Sequence, residues 1–360
     1  MNFFDTHCDT IQTVLEKGAD FTTDPLLHVT LPSLRAAGVC CQVFAAWAWR
    51  RKYKERTFDA ALNMVRATRA LCDAYPDDLF LALTGADVVA ACAPPAAVGA
   101  GAGGKSAGGR IAVIAGLEGA DALDGRPESI GLFHAEGVRI LTLAWGDTPF
   151  CGSTYGSGTG LTPAGRELVE RCEELGVMVD VSHASDQAFA DVLAVALRPF
   201  VASHSCCRAV CLNPRNLTDG MIRALAEAGG VMGIALGSGF LSPEFYAREK
   251  PGMDAFFRAM AAGDTHFEAA WAASEKAEAR PPRPPLSLVA DHVKHAINVG
   301  GEDCVGLGGD MDGVNSTPLG LDGVKDYPRI AELLSRAGLT AAQVEKVCWG
   351  NMARVFQGIG

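Results

Sequence analysis

Long apolar runs are missing from this chain of 360 residues. None approaches the roughly 20 consecutive apolar residues that cross a bilayer, so no membrane span is expected. A basic leader followed by an apolar stretch and a small-residue cleavage site is also absent, as is a C-terminal lipid-anchor signal. The expected location is therefore the cytoplasm, with no membrane partner. Basic residues are outnumbered, 31 Lys and Arg against 42 Asp and Glu, for a formal net charge of −11. With no clustered Lys or Arg to neutralise phosphates, the charge balance argues against nucleic acid as a partner, and none is expected. The 12 cysteines show no disulfide framework. They fall singly or as neighbours, Cys40 beside Cys41 and Cys206 beside Cys207, and read as reduced core residues. A rival use is a structural zinc site built from Cys207 and Cys211 after His204, but a full set of four ligands is not evident.

What is present is a repeated alternation. Short runs rich in Val and Ile, each followed by a helical pattern, occur at 2–6, 39–45, 111–117, 138–144, 176–182, 199–203, 230–236 and 304–309. Helices are expected at 57–74, 163–175, 184–196, 218–228, 286–299 and 339–357, with Thr162-Pro163 and Thr218-Asp219 as start signals. Eight strands with intervening helices in a chain of this length predict an α/β fold, a (β/α)8 TIM barrel, rather than an open sheet. Two segments interrupt the rhythm: the Gly/Ala-rich 94–109, read as a flexible surface loop, and the Pro-rich 276–286. Each sits inside one βα unit, so residues 1–360 are expected to form one domain.

Active sites of such barrels are built at the C-terminal ends of the strands, and the chemically capable residues fall there. The first run leads into His7 and Asp9, two apart and so on one side of an extended chain. Taken alone, Asp9 reads equally well as a helix cap and His7 as a buried, hydrogen-bonded histidine. The third run ends at Glu118, the fifth at His183 and the sixth at His204. The eighth ends in Gly308-Gly309-Asp310-Met311-Asp312-Gly313, where small residues allow a close backbone approach and Asp310 offers an acid or base. The other histidines, His28, His134, His266, His292 and His295, lie in helical or loop contexts and read as surface or core-edge residues. Six ligand-type groups at the ends of five strands suit two adjacent metal ions. His7, Asp9 and Glu118 would hold one, and Glu118, His183 and His204 the other. Such a pair supports hydrolysis, with Asp310 taking a proton from the attacking water and passing it to the leaving amine.

With these residues in view, the chain resembles the membrane (renal) dipeptidase family of zinc peptidases, within the amidohydrolase-like barrels. The likeness rests on Asp5, His7 and Asp9 as D-x-H-x-D, on "GLEGAD" at 116–121, "GLTPAGRELVERCEELGVMVDVSHAS" at 160–185, "SHSCCRAVCLNPRNLTD" at 203–219, "VGLGGDMDG" at 305–313 and "GNMARVF" at 350–356. It implies a binuclear zinc site, with Mn2+ or Co2+ able to share such ligands. It implies Asp310 as the proton carrier and Arg215, in "NPRN", as the clamp on the substrate's terminal carboxylate. The substrate would be a small dipeptide, including one with a D-residue at its C-terminal position, and a homodimer is the implied assembly. Two positions depart from the family pattern. Trp145, in "LTLAWGDTPF", stands where relatives carry an oxyanion-stabilising histidine; it either donates from its indole, shapes the substrate pocket or only packs. The seventh run, "VMGIALGSGFL", lacks the polar residues of relatives. Deacylation of N-acyl amino acids in the same barrel is the alternative activity, and a non-catalytic binding barrel a more remote one.

Overall fold

The computed structural model describes residues 1–93, 109–261 and 281–360. All but the last residue of the expected 94–109 loop lies outside the described residues, as do His266 and residues 276–280 of the Pro-rich connection. Nine strands run in chain order: β1 Phe3–Asp5, β2 Val39–Trp47, β3 Leu79–Leu81, β4 Ile111–Glu118, β5 Val138–Thr142, β6 Met178–Asp180, β7 Val201–Ser205, β8 Val231–Ile234 and β9 Val305–Leu307. Every strand pairing is parallel, in the order β2-β1-β9-β8-β7-β6-β5-β4-β3. A further pairing of β2 with β4, from Cys41↔Ala112 to Trp47↔Glu118, closes the ring. Eight strands thus form a closed parallel barrel wrapped by helices, the (β/α)8 fold expected from the alternation.

All eight expected strands are present; β3 was not foreseen. It pairs only with the first half of β4, Leu79↔Ile111 to Leu81↔Val113, and adds a ninth strand outside the ring. Three residues are too short to show a period. The helices Thr57–Ala74 and Pro163–Leu175 match the sequence expectation. Thr162 and Thr218 act as caps through side chains that accept from Gly165 N–H and Met221 N–H. Helices at Thr10–Lys17, Leu31–Ala37, Gly85–Cys92, Ile130–Ala135, Pro243–Ala261 and Tyr327–Arg336 were not anticipated. The long one carries Pro251 in its interior, a residue that normally ends a helix. The expected helix 339–357 is divided. A π-helical turn, Lys346–Gly350, separates Ala341–Glu345 from Asn351–Val355, and the Asn351 side chain donates to the carbonyls of Glu302 and Val305, both at 2.8 Å. That bond seats the C-terminal region beneath β9.

Alternation on β1 divides the interior. Phe4 joins Val43, Ile114, Ile140, Met178, Val201 and Val231 in the barrel lumen, where Phe356 covers the floor with its ring centroid 5.1 Å from that of Phe4. Phe3 points outward against Tyr327, at 5.9 Å, in the larger cluster between strands and helices. All 12 cysteines are free and buried. His292 corrects the expectation of a core-edge position. It is fully buried because both ring nitrogens are satisfied, Nδ1 by Cys207 N–H at 3.0 Å and Nε2 against Leu241 O at 3.0 Å.

The glycine after β9 is forced by how closely the strands pass at the barrel's upper end. A Cβ on Gly308 would stand 1.7 Å from the Ser203 carbonyl oxygen. Gly308→Ala is expected to lower stability by about 2 kcal/mol or more, because the obstacle is backbone that cannot rotate away. Urea denaturation would read this as a lower midpoint with an unchanged slope.

Candidate metal centre

β1 stops at Asp5, but its path continues: Cys8 N–H donates to Val43 O at 3.2 Å and Asp9 N–H to Met311 O at 2.9 Å. His7 and Asp9 are thereby carried to the mouth of the barrel. Asp9 occupies the N-cap position of the helix Thr10–Lys17 yet makes no side-chain cap bond. His7 Nε2 is buried without a hydrogen-bond partner. The helix-cap and satisfied-core readings of this pair both fail on those two observations.

Glu118, the last residue of β4, lies at the centre. Its carboxylate is 3.5 Å from His7 Nε2, 3.0 Å from His183 Nε2 and 3.7 Å from His204 Nε2. Asp9 and Asp310 stand 3.6 and 4.0 Å from His7 Nε2. Two sets of three donors have their ligand atoms within 4.8 Å of one another: His7, Glu118 and His204, and His7, Asp9 and Asp310. Both share His7, whereas the sequence reading made Glu118 the shared group. No cysteine belongs to such a set among the described residues. Cys207 and Cys211 instead donate to the carbonyls of His292 and Gly239, so the rival structural zinc site does not form.

Two of these side chains sit on left-handed backbone, His183 at φ 66° and Asp310 at φ 55°. Non-glycine residues seldom hold that conformation without support from their surroundings. Support at Asp310 comes from its N–H donating to His7 O at 3.1 Å. Below it, the buried Asp5 carboxylate accepts from Gly309 N–H at 2.7 Å, Tyr327 O–H at 2.6 Å and His7 N–H at 3.2 Å.

On the opposite side, the carboxylate of Asp180, fully buried at the end of β6, ties three strands together. It accepts from Thr142 Oγ1 at 2.6 Å, Ser182 N–H at 2.9 Å, Ser203 N–H at 2.8 Å and Ser203 Oγ at 2.6 Å. Ser203 Oγ also meets His204 Nδ1 at 2.8 Å. With the hydroxyl proton committed to Asp180, His204 Nδ1 is the donor to Ser203, and the unprotonated Nε2 faces the site, 3.0 Å from His183 Nε2. Asp180 and Ser203 were not singled out from the sequence. Their only signal was position, three before His183 and one before His204.

Burial sets the electrostatics. It lowers His183 to about 4, with help from the Arg215 charge, and holds His204 well below its usual range, so both imidazoles are neutral near pH 7. Burial also raises Asp9 to about 7 and Asp310 to about 6, with the Glu118 charge adding to both. Burial opposes ionisation of Glu118 too, but His7 and His183 outweigh it and keep that carboxyl far below its ordinary value. Such neutral imidazoles beside crowded carboxylates, with one nitrogen orphaned, are what a divalent cation would satisfy.

Arg215 is buried, stands over the Phe240 ring at 5.6 Å and leaves Nη2 without a partner. Its charge reaches His183, His204 and Asp310. Trp145 is half-buried, with its ring 6.1 Å from that of His183.

Residues 1–359 match the sequence profile of the membrane dipeptidase family, peptidase family M19. The chain belongs to the membrane dipeptidase family. Among its relatives in this family is a Klebsiella pneumoniae protein described as the uncharacterized protein in the pqqA 5' region, 33% identical over 69% of this chain and 82% of that protein. Dipeptidase 3 of Rattus norvegicus is 28% identical over 92% of this chain, which spans only 58% of that relative's length. The crystal structure of the dipeptidase AC, a metallo peptidase of family M19, superposes with a TM-score of 0.79 at 26% identity over 99% of both chains. A metallo peptidase from Rhodobacter sphaeroides, liganded with a phosphinate mimic of the dipeptide L-Ala-D-Ala, shares the fold at the same TM-score and 24% identity, over 100% of this chain and 99% of that one. No helix among the described residues is long and apolar enough to cross a membrane.

Replacing Asp180 with Ala would orphan four buried donors. A loss of about 3 kcal/mol or more is expected, since each stranded group costs roughly 1–3 kcal/mol before relaxation. Chemical denaturation of Asp180→Ala against the parent measures it, and a difference under about 1 kcal/mol would remove Asp180 as the clamp of these strand ends.

Proposed function

We propose that this protein is a metal-dependent dipeptidase that cleaves the single amide of a free dipeptide, including substrates with a D-residue at the C-terminal position. The observation that carries the reading is the convergence of His7, Asp9, Glu118 and His204, with His183 3.0 Å from the Glu118 carboxylate, around a buried, unsatisfied nitrogen of His7 at the barrel mouth. Membership of a family of dipeptidases, and the likeness to the dipeptidase AC, support the substrate class.

In this reading His7, Asp9 and Glu118 would hold one Zn2+, and Glu118, His183 and His204 a second, His183 joining through its 3.0 Å approach to the Glu118 carboxylate. The donor types suit zinc, and Mn2+ or Co2+ accept the same set. When bound, such ions polarise the scissile carbonyl and lower the pKa of water, which is the chemistry the reaction needs. The remaining work falls to the chain's own residues. Asp310, raised to about 6 by burial and the Glu118 charge and so mostly ionised at neutral pH, takes the proton of the attacking water and returns it to the leaving amine. Arg215 offers an unpartnered guanidinium nitrogen to the substrate's carboxylate, one residue from the scissile bond. Its burial strengthens the pairing and rewards a free carboxylate over a blocked one. Ser203 and Asp180 keep His204 in the tautomer that presents Nε2.

Amino-acid release from L-L and L-D dipeptides by zinc-reconstituted protein tests the reading. Turnover that disappears on chelation and returns with zinc is expected. Silence on dipeptides with turnover of N-acyl amino acids would move the activity to deacylation in the same barrel. Asp310→Asn is expected to retain bound metal while losing at least a hundredfold in kcat, the scale of general acid–base contributions. Loss of metal instead would make Asp310 a ligand, as its grouping with His7 and Asp9 allows. Arg215→Ala is expected mainly to raise KM for substrates with a free carboxylate; equal effects on carboxylate-blocked analogues would refute the clamp.

A further inference from the structure

A second apolar cluster, separate from the barrel core, lies beside the candidate metal centre. Trp49 and Phe256 form its buried part, and Trp47, Trp145 and Phe257 pack against them. It holds three of the chain's five tryptophans. Trp47 pairs directly with Glu118 at the closing seam of the barrel. From there, ring follows ring. Trp47 and Trp49 each lie near Trp145, at 5.0 and 5.2 Å between centroids, and Trp145 is 6.1 Å from His183. Phe256 contacts Phe257 at 5.1 Å, and Phe257 stacks on Tyr155 at 4.2 Å and 14°. Tyr155 O–H donates to Asn213 Oδ1 at 3.1 Å, the same oxygen that receives Arg215 N–H at 2.9 Å.

The arc therefore runs from the side of Glu118 and His183 to the loop that carries Arg215. Its two ends hold buried donors without partners, Trp47 Nε1 and Arg215 Nη2. Trp47, Trp145, Tyr155 and Phe257 are each only half-buried, which leaves aromatic surface open along the arc. Aromatic surface beside a site that must exclude water is best covered by apolar groups of the ligand. Lys52 lies over the Trp47 ring at 5.4 Å and over Tyr53 at 4.8 Å, and is held by Glu16 at 3.0 Å. With its charge so paired, it offers little to an acidic side chain.

We infer that this aromatic arc is the side-chain subsite of the enzyme, and that it selects dipeptides carrying a large apolar or aromatic side chain. Trp145 and Phe257 are its specificity-determining residues. The inference rests on the dipeptidase reading above.

The test is kcat/KM for zinc-loaded protein on a matched panel: Ala–Ala, the same dipeptide with Leu or Phe at either position, and with Asp or Glu at either position. A preference of about tenfold or more for Leu or Phe over Ala, at one position at least, is expected from the burial of three or more extra carbons. In Trp145→Ala and in Phe257→Ala, that ratio should fall severalfold. Because it compares substrates on one preparation, partial unfolding of a variant does not move it. Equal rates across the panel, a preference for Asp or Glu, or ratios unchanged in both variants would overturn the subsite while leaving the dipeptidase reading intact. If no dipeptide is cleaved at all, including Ala–Ala, both readings fall together.

Discussion

A single buried carboxylate organises this molecule's upper face. Glu118 is 4% exposed and faces the Nε2 atoms of three histidines supplied by other strands. A charge in that position is tolerated only where partners surround it. The barrel must therefore bring histidines from the ends of β1, β6 and β7 to within 4 Å of the carboxylate at the end of β4. Closure of β2 onto β4 through seven consecutive residue pairs, with Glu118 in the last, is what fixes its height.

Around that centre two further carboxylates act as braces. Asp5 collects donors from β1, the β9 turn and Tyr327, and Asp180 collects them from β5, β6 and β7. Each lies beneath a candidate ligand or Asp310. Their satisfied networks allow His183 and Asp310 to remain on left-handed backbone, where the side chains turn inward from the strand axis. Rigid braces also explain the small residues between them: Gly308 passes against the Ser203 carbonyl, and a Cβ on Gly313 would stand 2.1 Å from Asp9 Oδ2. The site is dense backbone and buried polar atoms, with little slack for side-chain change.

Above the braces the molecule changes character. Tryptophan and phenylalanine from β2, from the segment after β5 and from the helix Pro243–Ala261 make an apolar rim outside the main core. On the dipeptidase reading, the polar floor would address the carbonyl, the amine and the carboxylate common to all dipeptides, and discrimination between side chains would fall to rim residues such as Trp145.

Much of this was legible in the amino-acid sequence. The alternation of Val/Ile runs with helical patterns predicted the barrel, since a parallel strand buried on both faces must be continuously apolar and must be followed by a crossover. The residues that end those runs located the mouth of the site, because strand ends face one way in a parallel barrel. Elements too short to show a period, such as β3, left no comparable trace, and neither did a helix with Pro251 inside it. The pairing of His7 with Glu118, the tautomer of His204 and the arc from Trp47 to Tyr155 depend on residues up to 111 positions apart, brought together only by the tertiary fold. Local propensity carries no information about such distances. The sequence by itself determined which groups could act and at which strand ends they stand. Only the tertiary structure decided which of them meet, because register and closure, not composition, set the separation of one strand end from the next.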